Sequence, residues 1–365
     1  MKLLFFSDRL KRGEFASLRA REEFKSTLKM KGIICEIVDL KFFLSPKKYR
    51  FVEMYQHIRK DSPDFIMIDT IPLIGSFSLI MKLFKAYPFF VRLRGDFWKE
   101  LQQQRLYHKN SISLVKNIAR DVLGNLCLKN ANAVFPVCNY LKEIGVNHHL
   151  KPEKLITIYN GVDVDRFHLK EDGRLYRRKY GLKDKKLLVC VSNFNFPEKV
   201  EGLIFFLPAI KRILNENPDV RFLIVGNGIF LNLVRGQIEK YKIHSQTIIT
   251  GFIRDIERIY AAADIMLYLS FQDALPTVLL EASASGKPIV ANKIGGVHEI
   301  IKDHKTGILI DKYDREALYS YVTQLLDNHS LRIEFGEMAQ KWINTRFNWN
   351  VIGQQFANIF HKLLR

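Results

Sequence analysis

The chain is short of acid and of thiols. Of its 365 residues, 38 are Asp or Glu against 57 Lys or Arg, a formal net charge of +19, and four are cysteine. Cys35, Cys127, Cys138 and Cys190 are widely spaced, with no C-x-x-C pair and no histidine at zinc spacing. That pattern excludes a disulfide framework and a zinc knuckle and fits reduced thiols in a cytoplasmic setting. Residues 1–7 are apolar for only about four positions before Asp8, Arg9, Lys11 and Arg12, too few for a secretory h-region. The longest apolar stretch, 71–91, is broken by Lys82, Lys85 and two prolines, whereas a membrane span needs about 20 predominantly apolar residues. No low-complexity tract or short repeat occurs, and Gly286-Lys287 lacks the upstream glycine and following Ser or Thr of a P-loop. His148-His149 has no partner at ligand spacing, and Asp163-Val-Asp165 follows Asn160-Gly161 in a turn, which reads as structural rather than metal-binding.

What is present is ample apolar material, 47% of residues, enough at roughly 100–200 residues per domain for two cores. The positive surplus is lopsided: residues 1–170 hold 30 basic and 17 acidic residues, the remainder 27 and 21. A basic half raises the local concentration of anions, so a phosphate-bearing substrate, an anionic membrane or nucleic acid are all admissible partners on charge alone.

Short aliphatic runs alternate with helical periodicity along the whole chain. Candidate strands lie at 2–6, 33–38, 65–69, 89–93, 133–137 and 155–158, then at 187–192, 221–225, 246–250, 265–269, 288–291 and 307–310. Most are continuous apolar runs, as parallel strands covered on both faces should be. Between them Leu203, Phe206, Leu207, Ile210, Ile213 and Leu214 mark one helical face. Six strands on each side of about residue 165 predict two doubly wound Rossmann-like α/β domains, with 170–186 as a polar linker. In such sheets ligands bind beyond the carboxyl ends of the strands, and a cleft between two domains is the default site.

Chemistry-bearing residues fall at those strand ends. After the strand at 265–269, Pro276 suits the first turn of a helix, leaving the N–H groups around Thr277 and Val278 as an anion site. Asp273 precedes that helix and Glu281 lies one turn above Thr277, a pair that could serve a sugar and a ribose diol; equally, Asp273 could cap the helix and Glu281 could be a solvated acid. Lys199, after Asn193 and the strand at 187–192, could reach a phosphate over a helix N-terminus or be a surface charge. Gly226-Asn-Gly228 offers close backbone approach or simply a turn, and Phe252, Ile253 and Arg254 could line a flat base.

Taken in order, Lys199, Phe222-Leu-Ile-Val-Gly-Asn-Gly228, Gly251-Phe-Ile-Arg-Asp-Ile, Tyr260-Ala-Ala-Ala-Asp264, Asp273-x7-Glu281, Gly286-Lys-Pro-Ile-Val-Ala291, Gly295-Gly-Val-His-Glu299 and Thr306-Gly307 resemble the retaining glycosyltransferases of family 4. Asn160-Gly-Val-Asp163 with Phe167 adds to the likeness, which runs over about 130–311 and is looser before that. The resemblance implies the GT-B architecture: two doubly wound Rossmann-like domains facing across a cleft, an acceptor-side domain at 1–168, a donor domain at 169–347 and a helix at 348–365 crossing back to the first. It implies transfer from a nucleotide-sugar co-substrate with retention and without a bound metal or other cofactor. By position, Glu281 would hold the ribose, Lys199 the diphosphate and Asp273 the donor sugar. Leu275, Pro276, Thr277 and Val278 would lie along sugar and phosphates, Phe252 to Arg254 near the base, and Arg94 where many members carry His.

The sequence departs from that pattern in places. Asp273 replaces the usual Glu, Asn193 stands near the place of a phosphate-binding Arg, and only Gly13, beside Lys11 and Arg12, remains of a Gly-Gly loop after the first strand. The expected chemistry is front-face displacement, with charge on the leaving diphosphate met by Lys199 and helix N–H groups. The acceptor would be a glycan or a lipid-linked molecule. Lys41, Lys47, Lys48 and Arg50 interleaved with Phe42, Phe43, Tyr49 and Phe51 suit an anionic membrane surface, or else a core with a solvated basic face. A sugar-nucleotide epimerase or a phosphorylase on the same fold is the alternative. A nucleic-acid-binding protein is suggested by charge alone, with no recognised module.

Overall fold

The computed structural model describes residues 1–7, 15–39, 58–69, 87–107, 111–168 and 173–364. Gly13, Lys11, Arg12 and the basic-aromatic segment 41–51 lie outside the described residues. Two compact units form, one from Met1–Asn160 with Asn350–Arg365, the other from Gly161–Trp349.

The first unit is a parallel sheet of β1 (Lys2–Ser7), β2 (Ile34–Asp39), β3 (Phe65–Ile68), β4 (Phe89–Leu93) and β5 (Ala133–Pro136), ordered β2-β1-β3-β4-β5. Leu3, Leu4, Phe5 and Phe6 are all buried, which is why β1 is apolar without alternation. The sixth expected strand is not one. Residues 155–158 make a single bridge, Leu155 to Val134, while the N–H groups of Ile156 and Ile158 donate to the carbonyls of Val134 and Pro136. Leu155 and Ile158 are buried, so the apolar run is real, but it follows the turn Pro152–Lys154 and runs into Asn160-Gly161 before a ladder can form.

The helix Trp349–Leu363 belongs, from Asn350 onward, to this first unit. Ile352, Phe356 and Phe360, four residues apart, form its buried stripe, with Ile359 only half-buried. Phe356 stands edge-on to Phe24 at 5.0 Å, and Phe360 lies 4.6 Å from Phe65. Arg92 is buried between two of these rings, 5.2 Å from Phe24 and 5.1 Å from Phe356, and donates to Asn160 Oδ1 at 2.8 Å. Burial, then the neighbouring Arg94, lowers its proton affinity, to a pKa of about 9, and it stays charged at neutral pH.

The second unit is a parallel sheet of β6 (Lys186–Val191), β7 (Val220–Val225), β8 (Thr247–Gly251), β9 (Ile265–Tyr268), β10 (Ile289–Asn292) and β11 (Ile308–Ile310), ordered β11-β10-β9-β6-β7-β8. The chain moves outward from β6 through β7 and β8, then returns to place β9 on the other side of β6, so the switch point lies between β6 and β9. The helix Pro197–Glu216 turns the whole predicted stripe from Leu203 to Leu214 into the core. Residues 173–186, the described part of the stretch expected as a polar linker, pack onto this unit instead. Arg177, on the helix Arg174–Lys179, donates to Ala262 O and Asp264 Oδ2, both at 2.7 Å, and Tyr176 donates to Asp255 at 2.6 Å. Arg177 thereby satisfies carbonyls at a helix end that water would otherwise serve.

Gly202 sets how closely the helix Pro197–Glu216 approaches β9, because a Cβ there would overlap the carbonyl oxygen of Leu269. Helix propensity alone favours Ala over Gly by about 1 kcal/mol, whereas overpacking costs typically ~1–3 kcal/mol. Gly202→Ala is therefore expected to destabilise the second unit, seen as a lower urea midpoint of the full chain; a raised midpoint would contradict the contact. All four cysteines are buried, and burial pushes the Cys35 and Cys190 thiols up to about 12 each. Both should stay protonated and unmodified by iodoacetamide at pH 8 in the native protein and react after denaturation, as mass spectrometry of labelled peptides would show.

Candidate active site

The switch point of a doubly wound sheet is where two strand-end loops part and leave a crevice. In the second unit those are the loops after β6 and β9. Pro197 starts the helix after β6, where its missing N–H costs nothing, and puts Lys199 in the first turn. The two loops are tied together: Phe271 N–H donates to the Glu198 carbonyl at 3.1 Å, beneath the contact at Gly202. Lys199 Nζ then meets Asp273 Oδ2 at 2.8 Å, the two side chains 20% and 19% exposed.

Asp273 is held from three directions. The Tyr268 hydroxyl, at the end of β9, donates to the same Oδ2 at 2.6 Å, and Ala274 N–H donates to Oδ1 at 2.9 Å. Tyr268 is almost wholly buried, and burial first, then the Asp273 charge, holds its pKa well above the ordinary phenol range. The loop itself is anchored from β10, where buried Asn292 donates to the Ser270 carbonyl at 3.0 Å, and Gly296 N–H donates to the Ala274 carbonyl at 2.8 Å.

The helix Thr277–Ala284 follows, with Pro276 before it and no side chain capping it. Asp273 is therefore not its cap. Leu275 and Pro276 are buried and Thr277 and Val278 half-buried, so the helix start borders the crevice. Anions are favoured there by unpaired first-turn N–H groups and the helix dipole. Glu281 is buried, not a solvated acid, and accepts from the buried Tyr260 hydroxyl at 3.0 Å.

The remaining residues sit at neighbouring strand ends. Gly226 (φ 136°) and Gly228 (φ 159°) after β7 lie so close to Ser192 and Phe194 that any side chain would overlap the backbone of residues 192–194. Asn193 shapes the loop after β6, its Oδ1 accepting from the Asn195 N–H at 3.1 Å and from Asn195 Nδ2 at 2.8 Å. Phe252 and Arg254 are exposed and Ile253 half-buried, just beyond β8. Asp163 Oδ1 accepts from Arg166 N–H at 3.1 Å, at the start of the short helix Val164–His168. His148 stacks flat on Trp98 at 4.1 Å.

Arg94 belongs to the first unit, after β4. Its guanidinium lies 3.4 Å from Asp69 Oδ2, and Arg21 approaches the same oxygen at 3.4 Å. The structure thus brings Lys199 and Asp273 into contact, sets Glu281 on the helix that follows, and, within the first unit, pairs Arg94 with Asp69. Tyr268 and Asn292 escaped the sequence reading. The available signal was a polar-tipped residue ending an apolar strand, whose buried hydroxyl or amide must find a partner.

Residues 172–342 match the family model described as glycosyl transferases group 1. N-acetyl-alpha-D-glucosaminyl L-malate synthase of Bacillus anthracis is 30% identical over 225 residues, 61% of this chain and 58% of that protein. A GDP-mannose-dependent alpha-(1-6)-phosphatidylinositol monomannoside mannosyltransferase of Mycolicibacterium smegmatis is 30% identical over 209 residues, 54% of each chain. Each match therefore spans little more than half of the relative's length. The crystal structure of HepE from Anabaena in complex with UDP-glucose superposes with a TM-score of 0.78 at 20% identity, covering 99% of this chain and 100% of that one. The chain has the GT-B fold and resembles the family 4 glycosyltransferases, with the group 1 model matched over residues 172–342.

Proposed function

We propose that this protein is a retaining glycosyltransferase that moves a sugar from a nucleotide-sugar to a hydroxyl of a glycan or lipid-linked acceptor. The observation that carries the reading is the Lys199–Asp273 pair at the switch point between β6 and β9, beside the start of the helix Thr277–Ala284. An ammonium and helix-start N–H groups suit a diphosphate, and a fixed carboxylate next to them suits the hydroxyls of the sugar it carries. Glu281 is the residue for the ribose diol. Proteins similar to this chain carry nucleotide-sugars in their names or crystals, UDP-glucose in one and GDP-mannose in another.

The acceptor hydroxyl attacks the anomeric carbon from the face that the diphosphate leaves. The carbon–oxygen bond to the diphosphate breaks, the new glycosidic bond forms, and a diphosphate oxygen takes the acceptor proton. Lys199 and the helix amides oppose the charge that grows on the leaving group, so the mechanism asks nothing of a metal. The surplus of cations in residues 1–170 supports an acceptor that bears phosphate or sits on an anionic membrane. Among the described residues no helix is long and apolar enough to cross a membrane.

Thermal unfolding with UDP, GDP, UDP-glucose, UDP-N-acetylglucosamine and GDP-mannose tests the donor. One nucleotide-sugar should raise the midpoint, since ligand at a hundredfold its Kd stabilises by ~2.7 kcal/mol; no shift with any of the five would count against the reading. Lys199→Ala should lose about 10²–10³ in turnover of that donor while keeping its unfolding midpoint within a few degrees, because Asp273 retains Tyr268 and Ala274 as donors. Near-normal turnover would remove Lys199 from the chemistry. Product analysis separates transfer from the alternative, since an epimerised donor or a sugar phosphate without a new glycoside would show rearrangement or phosphorolysis.

A further inference from the structure

We propose that Tyr268 is a positioning residue for the donor sugar: its buried hydroxyl fixes Asp273 so that one remaining acceptor site on the carboxylate is presented to a sugar hydroxyl. The inference rests on the function proposed above and adds a residue and a division of labour to it.

A carboxylate offers about four lone-pair positions. Among the described residues, Oδ2 of Asp273 takes Tyr268 at 2.6 Å and Lys199 at 2.8 Å, and Oδ1 takes Ala274 N–H at 2.9 Å. That leaves one position, on Oδ1. Lys199 cannot be what holds the carboxylate during the reaction, because an incoming diphosphate competes for the same ammonium. Tyr268 and Ala274 remain when Lys199 turns to phosphate. Only the Tyr268 bond comes from a side chain rooted in the sheet, and its ring is fixed by burial on β9, between β6 and β10. Its proton stays in place at any working pH, so the bond persists as a donor from phenol to carboxylate.

The arrangement also accounts for the short side chain at 273. A Glu at 273 would carry its carboxylate one methylene further from the backbone than the distance at which the phenol and Ala274 N–H now meet it. Asp273 and Tyr268 therefore act as a unit, and replacing either should undo the same thing.

The test measures Kd by calorimetry for two ligands per protein: the nucleotide-sugar that stabilises the wild-type chain most, and its own nucleoside diphosphate. Tyr268→Phe keeps the ring and removes one hydroxyl. It should weaken the nucleotide-sugar about tenfold or more, the usual size for a hydrogen bond to a charged group, and leave the nucleoside diphosphate within twofold. Asp273→Asn should lose at least as much, and the double variant no more than Asp273→Asn alone. Additive losses would overturn the proposal, as would wild-type affinity in Tyr268→Phe alongside a weakened Asp273→Asn, with the glycosyltransferase reading left standing. An equal loss for both ligands in Tyr268→Phe would show a merely structural role and overturn it too. Should Tyr268→Phe lose its native unfolding transition, Asp273→Glu puts the same question with the phenol intact: weakened nucleotide-sugar and unchanged nucleoside diphosphate support the proposal, and unchanged affinity for both refutes it. A wild-type chain that binds neither UDP, GDP nor any nucleotide-sugar removes the function and this inference together.

Discussion

The Asp273 carboxylate accepts from a buried phenol, a lysine ammonium and a backbone amide, and those donors come from β9, from the helix after β6 and from the loop between β9 and the next helix. A largely buried carboxylate stripped of its partners is costly, and hydrogen bonds to a charged group are worth roughly 1.5–3 kcal/mol each. Three separately folded segments must therefore converge before the site forms. Their convergence depends on strand order, since in the second sheet β6 and β9 are neighbours although β7 and β8 lie between them in sequence. The packing at Gly202 and the Phe271–Glu198 hydrogen bond translate that order into side-chain positions.

The same logic recurs in the first unit. Asp69 directly follows β3, has an almost fully buried side chain, and is met by Arg21 and Arg94 from a helix and from the loop after β4. In a parallel sheet the carboxyl ends of the strands share one edge with the helix N-termini, so that edge accumulates partial positive charge. An acidic side chain there is electrostatically favoured in the free protein. Its cations are then already ordered, and an anionic ligand meets preorganised donors rather than mobile side chains.

Strand positions were legible wherever an apolar run was covered on both faces, as in β1, β6 and β9, because continuous burial leaves a continuous hydrophobic signal. Residues 155–158 carry the same signal and fail to become a strand, since buried side chains alone do not distinguish a ladder from a single bridge. Residues 173–186 err in the opposite sense: their charges suggested a polar linker, yet Arg177 donates to the Ala262 carbonyl and to Asp264. Lys199 and Asp273 stood out in the sequence because charged residues just after apolar strands contrast with their surroundings, and the structure puts the two in contact. The role of Tyr268 was not legible, and Tyr260 entered only as a motif residue, because a tyrosine reads the same in sequence whether its hydroxyl is idle or holds a carboxylate. The distinction lies in where the hydroxyl ends up, which depends on contacts between residues 5 and 21 positions apart.

The charge surplus of the first 170 residues changes meaning once some of its members are located. Arg92 is buried against Phe24 and Phe356, and Arg21 and Arg94 converge on Asp69, so three of the surplus cations are engaged inside the unit. A cation in such a position shapes a site but adds little to the long-range field, which near the surface decays over a Debye length of roughly 8–10 Å at ordinary ionic strength. Among the described residues, the field available to steer an anion therefore comes from exposed residues such as Lys25, Lys29, Lys129 and Lys151. Formal net charge joins two quantities that act separately, the cations that order a ligand on arrival and those that raise the rate at which it arrives.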